Sequence, residues 1–181
     1  DEFTGSVYFD GTGDYLRAPS SSDFNFGSDD FTIEFWVYYV GSHTNYYELV
    51  DFRPSVSGVY PTIYSDANGK IYYYTDGGNR ITSSVVPTNT WIHVAVTRSG
   101  TSTKLFIDGV QSGSTYSDSN TYLQSFVDIG ASGNQSNYHL NGYLSNVRIC
   151  KGHAVYTGNF TVPTRELEVH TKPPKGVVFP T

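Results

Sequence analysis

Phe31-Thr32-Ile33-Glu34-Phe35-Trp36-Val37-Tyr38 decides how this chain folds. Strand side chains alternate with a period of two, so Phe31, Ile33, Phe35 and Val37 share one side, and Thr32, Glu34, Trp36 and Tyr38 the other. Both sides are apolar near Phe35 and Trp36, which predicts a central strand covered on both faces. The same alternation precedes it in Val7-Tyr8-Phe9-Asp10 and Asp14-Tyr15-Leu16. It returns in Trp91-Ile92-His93-Val94-Ala95-Val96-Thr97-Arg98, in Lys104-Leu105-Phe106-Ile107, and in Gly142-Tyr143-Leu144-Ser145-Asn146-Val147-Arg148-Ile149. Turn residues punctuate the gaps and no amphipathic helix intervenes, so the chain is expected to be all-β.

The connections support antiparallel pairing. Asn68-Gly69, between Tyr60–Ser65 and Lys70–Thr75, predicts a type I′ hairpin, in which both central residues need positive φ. Asp10-Gly11-Thr12-Gly13-Asp14, Asp76-Gly77-Gly78 and Asp108-Gly109 read as further turns. Residues 113–122, rich in Ser, Thr and Asn, read as an exposed loop. Past Lys151 the alternation fades. Residues 1–165 are therefore expected to form one domain, and residues 166–181, with Lys172-Pro173-Pro174-Lys175-Gly176, an extended Pro-rich tail or linker.

Composition removes several function classes. Net charge is −6 and the eleven basic residues are scattered, so the clustered cations that neutralise phosphate in nucleic-acid binding are absent. One cysteine, Cys150, permits no intrachain disulfide and reads as a small strand residue. No apolar run approaches the roughly 20 residues that span a bilayer, so membrane insertion is not expected. The sequence has no methionine, even at position 1, from which a processed product or a piece of a longer chain is expected.

The blocks quoted above, in that order and with Leu105-Phe106-Ile107-Asp108-Gly109, resemble laminin-G-like domains of the concanavalin A-like jelly-roll superfamily. Gly142–Ile149 followed by Lys151-Gly152, Ala154-Val155-Tyr156-Thr157 and Asn159-Phe160-Thr161-Val162-Pro163 is similar to such domains in structural proteins of marine tailed phages. The resemblance implies an antiparallel two-sheet jelly-roll sandwich. It also implies a non-catalytic surface module on a virion (tail fibre, tail or capsid decoration) that contacts host glycans or neighbouring subunits. The alternative is a secreted bacterial adhesin or carbohydrate-binding domain, stabilised by calcium at the cell surface.

Catalysis finds little support. A glycosidase needs two carboxylates flanking the scissile bond, and Glu34 has no second acid at i+2 or i+4. It reads as a polar strand position satisfied by a hydroxyl or backbone donor. Glu166 and Glu168 have suitable spacing but fall in the tail. His93 reads as a packed strand histidine, and Cys150 with His153 lacks a third partner. No cofactor is required. A structural calcium would draw on Asp10 and Asp14, with Asp29, Asp30 and Asp66 beside Asn68 as further oxygens. Asn146 stands where some relatives carry an acid. Sugars are held on aromatic platforms flanked by hydrogen-bonding side chains, and the densest such group is His43, Asn45, Tyr46, Tyr47, Arg53, Tyr60 and Tyr64, with Tyr72-Tyr73-Tyr74 beyond. Exposed tyrosines also serve protein interfaces, so a neighbouring subunit or a second copy in a homo-oligomer is the other partner expected there.

Overall fold

The computed structural model describes residues 5–54, 58–133, 138–165 and 167. The tail expected from 166 onward, with Glu166 and Glu168, lies outside the described residues apart from Leu167. Two antiparallel sheets face one another. The first runs β1 (Val7–Asp10), β13 (Asn141–Lys151), β3 (Phe31–Tyr39), β8 (Trp91–Ser99), β9 (Ser102–Ile107) and β10 (Val110–Gln111), with β11 (Tyr116–Ser117) also on β9. The second runs β2 (Leu16–Ala18), β12 (Val127–Ile129), β4 (Tyr47–Asp51), β5 (Thr62–Ser65), β6 (Lys70–Thr75) and β7 (Gly78–Val85). Each sheet mixes early and late strands, as a jelly roll does. Among the described residues no helix is long and apolar enough to cross a membrane.

The alternation read from sequence sets the core. Phe31, Ile33, Phe35, Val37 and Tyr39 of β3 and Ile92, Val94 and Val96 of β8 point inward, against Val50, Ile63, Ile71, Tyr73 and Ile81 of the second sheet. Arg98 ends the inward row of β8 and is only 2 % exposed. Its guanidinium donates to the carbonyls of Gly100, Asn120 and Asp118 and lies over the Tyr122 ring. Buried charge demands such donors and acceptors, and that demand folds residues 113–122 onto the sandwich. The loop expected there keeps residues 113–115, 117, 119 and 121 exposed but is anchored, with Asp118 and Tyr122 buried and β11 paired to β9.

The hairpin at Asn68-Gly69 also differs from expectation. Four residues separate β5 from β6, and only Gly69 among them has positive φ, at 75°. The Asp66 carboxylate accepts the backbone N–H of Asn68 and of Lys70, so a side chain closes the turn that a type I′ geometry would have closed with the backbone.

β3 is covered on both faces, as its composition requires. The outer cover is a strap, residues 152–165, laid across β3, β8 and β9. Thr32 Oγ1 donates to the His153 carbonyl and accepts from Val155 N, and Lys104 Nζ donates to the Thr157 carbonyl. The Tyr156 and Phe160 rings stack at 3.5 Å, and Phe160 packs edge-on to His93 and Phe106. Phe160 N donates to the Gly109 carbonyl; a Cβ at Gly109, where φ is 77°, would fall 2.1 Å from the Phe160 oxygen.

Beneath the strap sits Glu34, wholly buried. Its Oε1 accepts from Arg148 Nε at 2.7 Å, and its Oε2 from His93 Nε2 at 3.1 Å and the Tyr156 hydroxyl at 2.9 Å. Burial alone would push this acid up, but the His93 and Arg148 donors outweigh it and hold Glu34 below the usual carboxylate range. The ionised group can only accept, so His93 Nε2 carries the proton. The expected hydroxyl is therefore present, and the Arg148 guanidinium and the His93 ring N–H join it. Tyr156→Phe should lower unfolding free energy by roughly 1.5–3 kcal/mol, the usual worth of a hydrogen bond to a charged group, in a urea titration. Gly109→Ala should destabilise through the strap. Unchanged midpoints in both would show that the strap is not fastened as described.

Candidate functional site

The outer face of the second sheet carries a different kind of surface. A bulge in β4 creates it. Glu48 pairs with Tyr64 and Val50 with Ile63, so Leu49 is an extra residue and the register shifts. Strict alternation would send Glu48 and Asp51 to opposite faces. The bulge turns both outward, while Leu49, Val50 and Phe52 stay in the core.

Two cross-strand rows result. One is Glu48, Tyr64, Tyr72, and the other Asp128, Asp51, Thr62, Tyr74. Tyr64 and Tyr72 stack at 4.9 Å with 15° between ring planes, and Tyr74 meets Tyr64 edge-on. Tyr46, 48 % exposed, extends the platform toward Tyr64 at 6.2 Å and Tyr138 at 5.8 Å. The Tyr64 hydroxyl donates to Asn79, and that of Tyr72 to Asp66. Burial, with the Asp66 carboxylate, pushes the Tyr72 phenol up to about 12.

Asp51 and Asp128 lie directly opposite on neighbouring strands, a repulsive arrangement for like charges. Each is matched by an arginine. Arg17 closes on Asp128 through Nε at 2.6 Å and Nη2 at 2.7 Å. Arg53 closes on Asp51 through Nε at 2.9 Å and Nη2 at 3.0 Å, and its guanidinium lies 5.3 Å over Tyr74. Asp51 also accepts from Arg53 N, Thr62 Oγ1 and Gly133 N, which fills its oxygens.

Glu48 is the unfinished member. It is 6 % exposed; Oε1 accepts from Arg53 Nη2 at 2.6 Å, and Oε2 has no partner. Burial, then the adjacent Asp51 carboxylate, push this acid up to about 8 against the pull of Arg53. A buried polar oxygen without a partner costs about 1–3 kcal/mol.

Of the residues singled out from sequence, Tyr46, Arg53 and Tyr64 meet on this face. Asn45 adjoins it and accepts the Tyr46 N–H. Tyr47 points the other way, 5 % exposed in the core beside Tyr39, because Tyr46 and Tyr47 have opposite strand parity. His43 packs edge-on to Tyr39 and bonds the Val86 carbonyl, and Tyr60 packs against the core. Tyr73, between the two outward tyrosines of β6, is core. Glu48, Asp51 and Tyr138 were not legible as site residues; the doubled apolar pair Leu49-Val50 between two acids was the available sign of a bulge.

Asp10 and Asp14 come together in a turn. Asp10 Oδ1 accepts from Thr12 N and Thr12 Oγ1, and Asp14 Oδ2 from Asp10 N. Those amide and hydroxyl donors hold the Asp10 acid below its usual range. Asp30 and Asp66 are likewise engaged by turn amides. Calcium takes about six to eight oxygens, and among the described residues no group of three or more His, Cys, Asp or Glu converges.

Solved structures share the architecture. Mouse laminin α1 chain domains LG4-5 superpose with a TM-score of 0.59 at 16 % identity, over 88 % of this chain and 44 % of that one. The heptameric SAP-like pentraxin of Limulus polyphemus gives 0.58 at 15 % identity, over 80 % and 74 %. Domain 4 of the arabinanase AbnA from Geobacillus stearothermophilus, in complex with arabinotriose, gives 0.56 at 14 % identity, over 84 % and 85 %. No curated protein sequence matches significantly. The family profile of laminin G-like domains matches residues 10–154, and with two antiparallel sheets in jelly-roll order the chain belongs to the concanavalin A-like lectin/glucanases superfamily.

Proposed function

We propose that this domain is a non-catalytic carbohydrate-binding module whose binding surface is the outer face of the second sheet. The observation that carries this is the unpartnered, nine-tenths buried Oε2 of Glu48 beside the Tyr46, Tyr64, Tyr72 and Tyr74 rings. Rings offer flat apolar area to the C–H face of a sugar, and the free carboxyl oxygen offers a partner to its hydroxyl. The arabinanase domain of the same fold, solved with arabinotriose, lends support. Turnover is disfavoured by the acids themselves. Glu34 is sealed under the strap, and Asp51 is held by five donors, so neither is a free nucleophile or base.

We place the module on the outside of a virion, or on a bacterial adhesin, on the strength of the phage-like run from Gly142 to Pro163. A second reading, contact with neighbouring copies, is favoured by one observation. Tyr8, Tyr143, Tyr38 and Trp91 pair in register across four strands on the outer face of the first sheet. Their rings lie 4.8, 5.9 and 5.6 Å apart, and the end members are 50 % and 40 % exposed. Interfaces bury rows of this kind. Light scattering should then show an oligomer that Trp91→Ala dissociates; a monomer at all concentrations removes this reading.

Two measurements address the carbohydrate surface. Retardation of the protein in gels containing arabinan or β-glucan should be lost on Tyr64→Ala, by about tenfold or more in affinity, as removal of a stacking ring at the centre of a site implies. Retardation that survives the change would move the site elsewhere. Glu48 should also tie stability to pH. Its folded-state acid is raised from 4.5 to about 8, so the folded chain keeps a proton the unfolded chain has lost, and stability falls as pH climbs through that window. Urea midpoints of the wild type and Glu48→Gln should diverge between these values, the wild type losing ground. Parallel curves would refute the elevated acid.

A further inference from the structure

We propose that the open edge of the sandwich, where β1 and β2 lie one above the other, pairs with the same edge of a second copy of this chain about a two-fold axis. β1 ends the first sheet and β2 the second, so each has a strand neighbour on one side only. An edge strand invites a further strand unless a lysine, a proline, a bulge or a cover prevents it. Val7-Tyr8-Phe9-Asp10 has neither lysine nor proline and pairs with β13 without a register shift. Among the described residues, four of the nine exposed large apolar or aromatic side chains fall between positions 7 and 16: Val7, Tyr8, Tyr15 and Leu16. Behind Val7 and Leu16 the sheets part around a cleft of about 440 Å³, which Phe9, Ile129, Leu144 and Val147 also line.

Backbone direction and charge both single out a second copy as the occupant. The Gly5 carbonyl accepts from Ser145 of β13, whereas Asp10 N donates to the Asp14 carboxylate on the β2 side. Backbone groups along a strand alternate sides with a period of two, so the N–H and C=O of Tyr8 turn toward the open edge. Antiparallel pairing about an axis at Tyr8 lets the two tyrosines exchange both bonds, an isologous contact. The same axis sets Val7 opposite Phe9 of the other copy and brings the two apolar rims together. It also reverses the strands, so the Asp10 and Asp14 end of one copy meets the end where the other carries Arg17. Both acids are exposed, and the Arg17 side chain is 47 % exposed, its bonds to Asp128 using only Nε and Nη2. Opposite charges thus meet twice, once on each side of the axis.

An axis normal to the sheets leaves both tyrosine platforms on one side of the pair. Tyr64 lies on β5, three strands in from β2. Three spacings in each copy and one across the junction put the two Tyr64 side chains roughly 34 Å apart. This consequence rests on the carbohydrate-binding reading above: a polymer that crosses the span engages both faces and gains in effective concentration, whereas a trisaccharide does not.

Light scattering at micromolar concentration should give a mass twice that of one chain. Val7→Lys, which puts a charge into the apolar rim, should weaken the dimer about tenfold or more, with the near-ultraviolet circular dichroism unchanged. Tyr8→Cys should cross-link the dimer on oxidation, because reciprocally bonded residues have Cα atoms about 5.5 Å apart, within disulfide reach. Trp91→Ala, three strands from β1, should leave the dimer intact. A monomer at every concentration, a dimer indifferent to Val7→Lys, or no cross-link through Tyr8→Cys overturns the proposal. So does a dimer that Trp91→Ala alone dissociates, which belongs to the ring row instead. Retardation in gels containing arabinan or β-glucan should fall about tenfold in Val7→Lys, while affinity for arabinotriose should not change. Equal retardation of wild type and Val7→Lys would remove the shared binding and leave the dimer standing. No retardation of either, or retardation indifferent to Tyr64→Ala, would fail the carbohydrate reading alone, since the mass and the cross-link decide the dimer without it.

Discussion

A carboxylate with no access to water, at the middle of the central strand, governs how this molecule is put together. Glu34 can be ionised there only if donors surround it. They come from three separate parts of the chain: His93 on β8, Arg148 on β13 and Tyr156 on the strap. The carboxylate thus ties together both neighbours of β3 and the segment that crosses them. Once the strap is down, His93 and Phe106 are covered by the Tyr156 and Phe160 rings. Much of the first sheet's outer face is therefore spent on structure, and the second sheet's outer face stays available.

Glu48 shows what the same residue type does when its shell is left incomplete. Both glutamates are buried and both bond an arginine. Glu34 has donors on both oxygens and is held ionised, whereas Glu48 has a carboxylate neighbour, one served oxygen and an elevated acid. The first arrangement stabilises at the expense of access. The second costs some stability and leaves one oxygen without a partner. Buried polar groups are nearly always paired, so an exception beside an open aromatic face carries functional information that a paired group would not.

The fold was readable because strand periodicity survives in the core. Phe31 to Val37 and Trp91 to Arg98 show their faces directly, and both strands lie where the alternation puts them. The site was only half readable. Tyr46, Arg53 and Tyr64 stood out as aromatic and basic residues near loops, but Tyr47 shared the same description and lies in the core. Glu48 and Asp51 were hidden by one residue of register, since a bulge changes which face a side chain occupies while leaving the residue types untouched. The strap was hidden for another reason. It has no ladder of its own, and its order comes from Thr32, Glu34, Lys104 and Gly109, residues far away in sequence that say nothing locally about residues 152–165.

The strap also has a mechanical meaning. Tension entering from residue 165 would reach Phe160 and its hydrogen bond to Gly109 first, then the Tyr156 ring and its bond to Glu34, and only afterwards the end of β13. Those contacts would give way one after another, like a zip, where β13 is clasped along its length by β1 and β3 and must break many ladder bonds together. Load arriving from that side would thus be absorbed by a replaceable fastening, with the sandwich and its aromatic face left intact behind it.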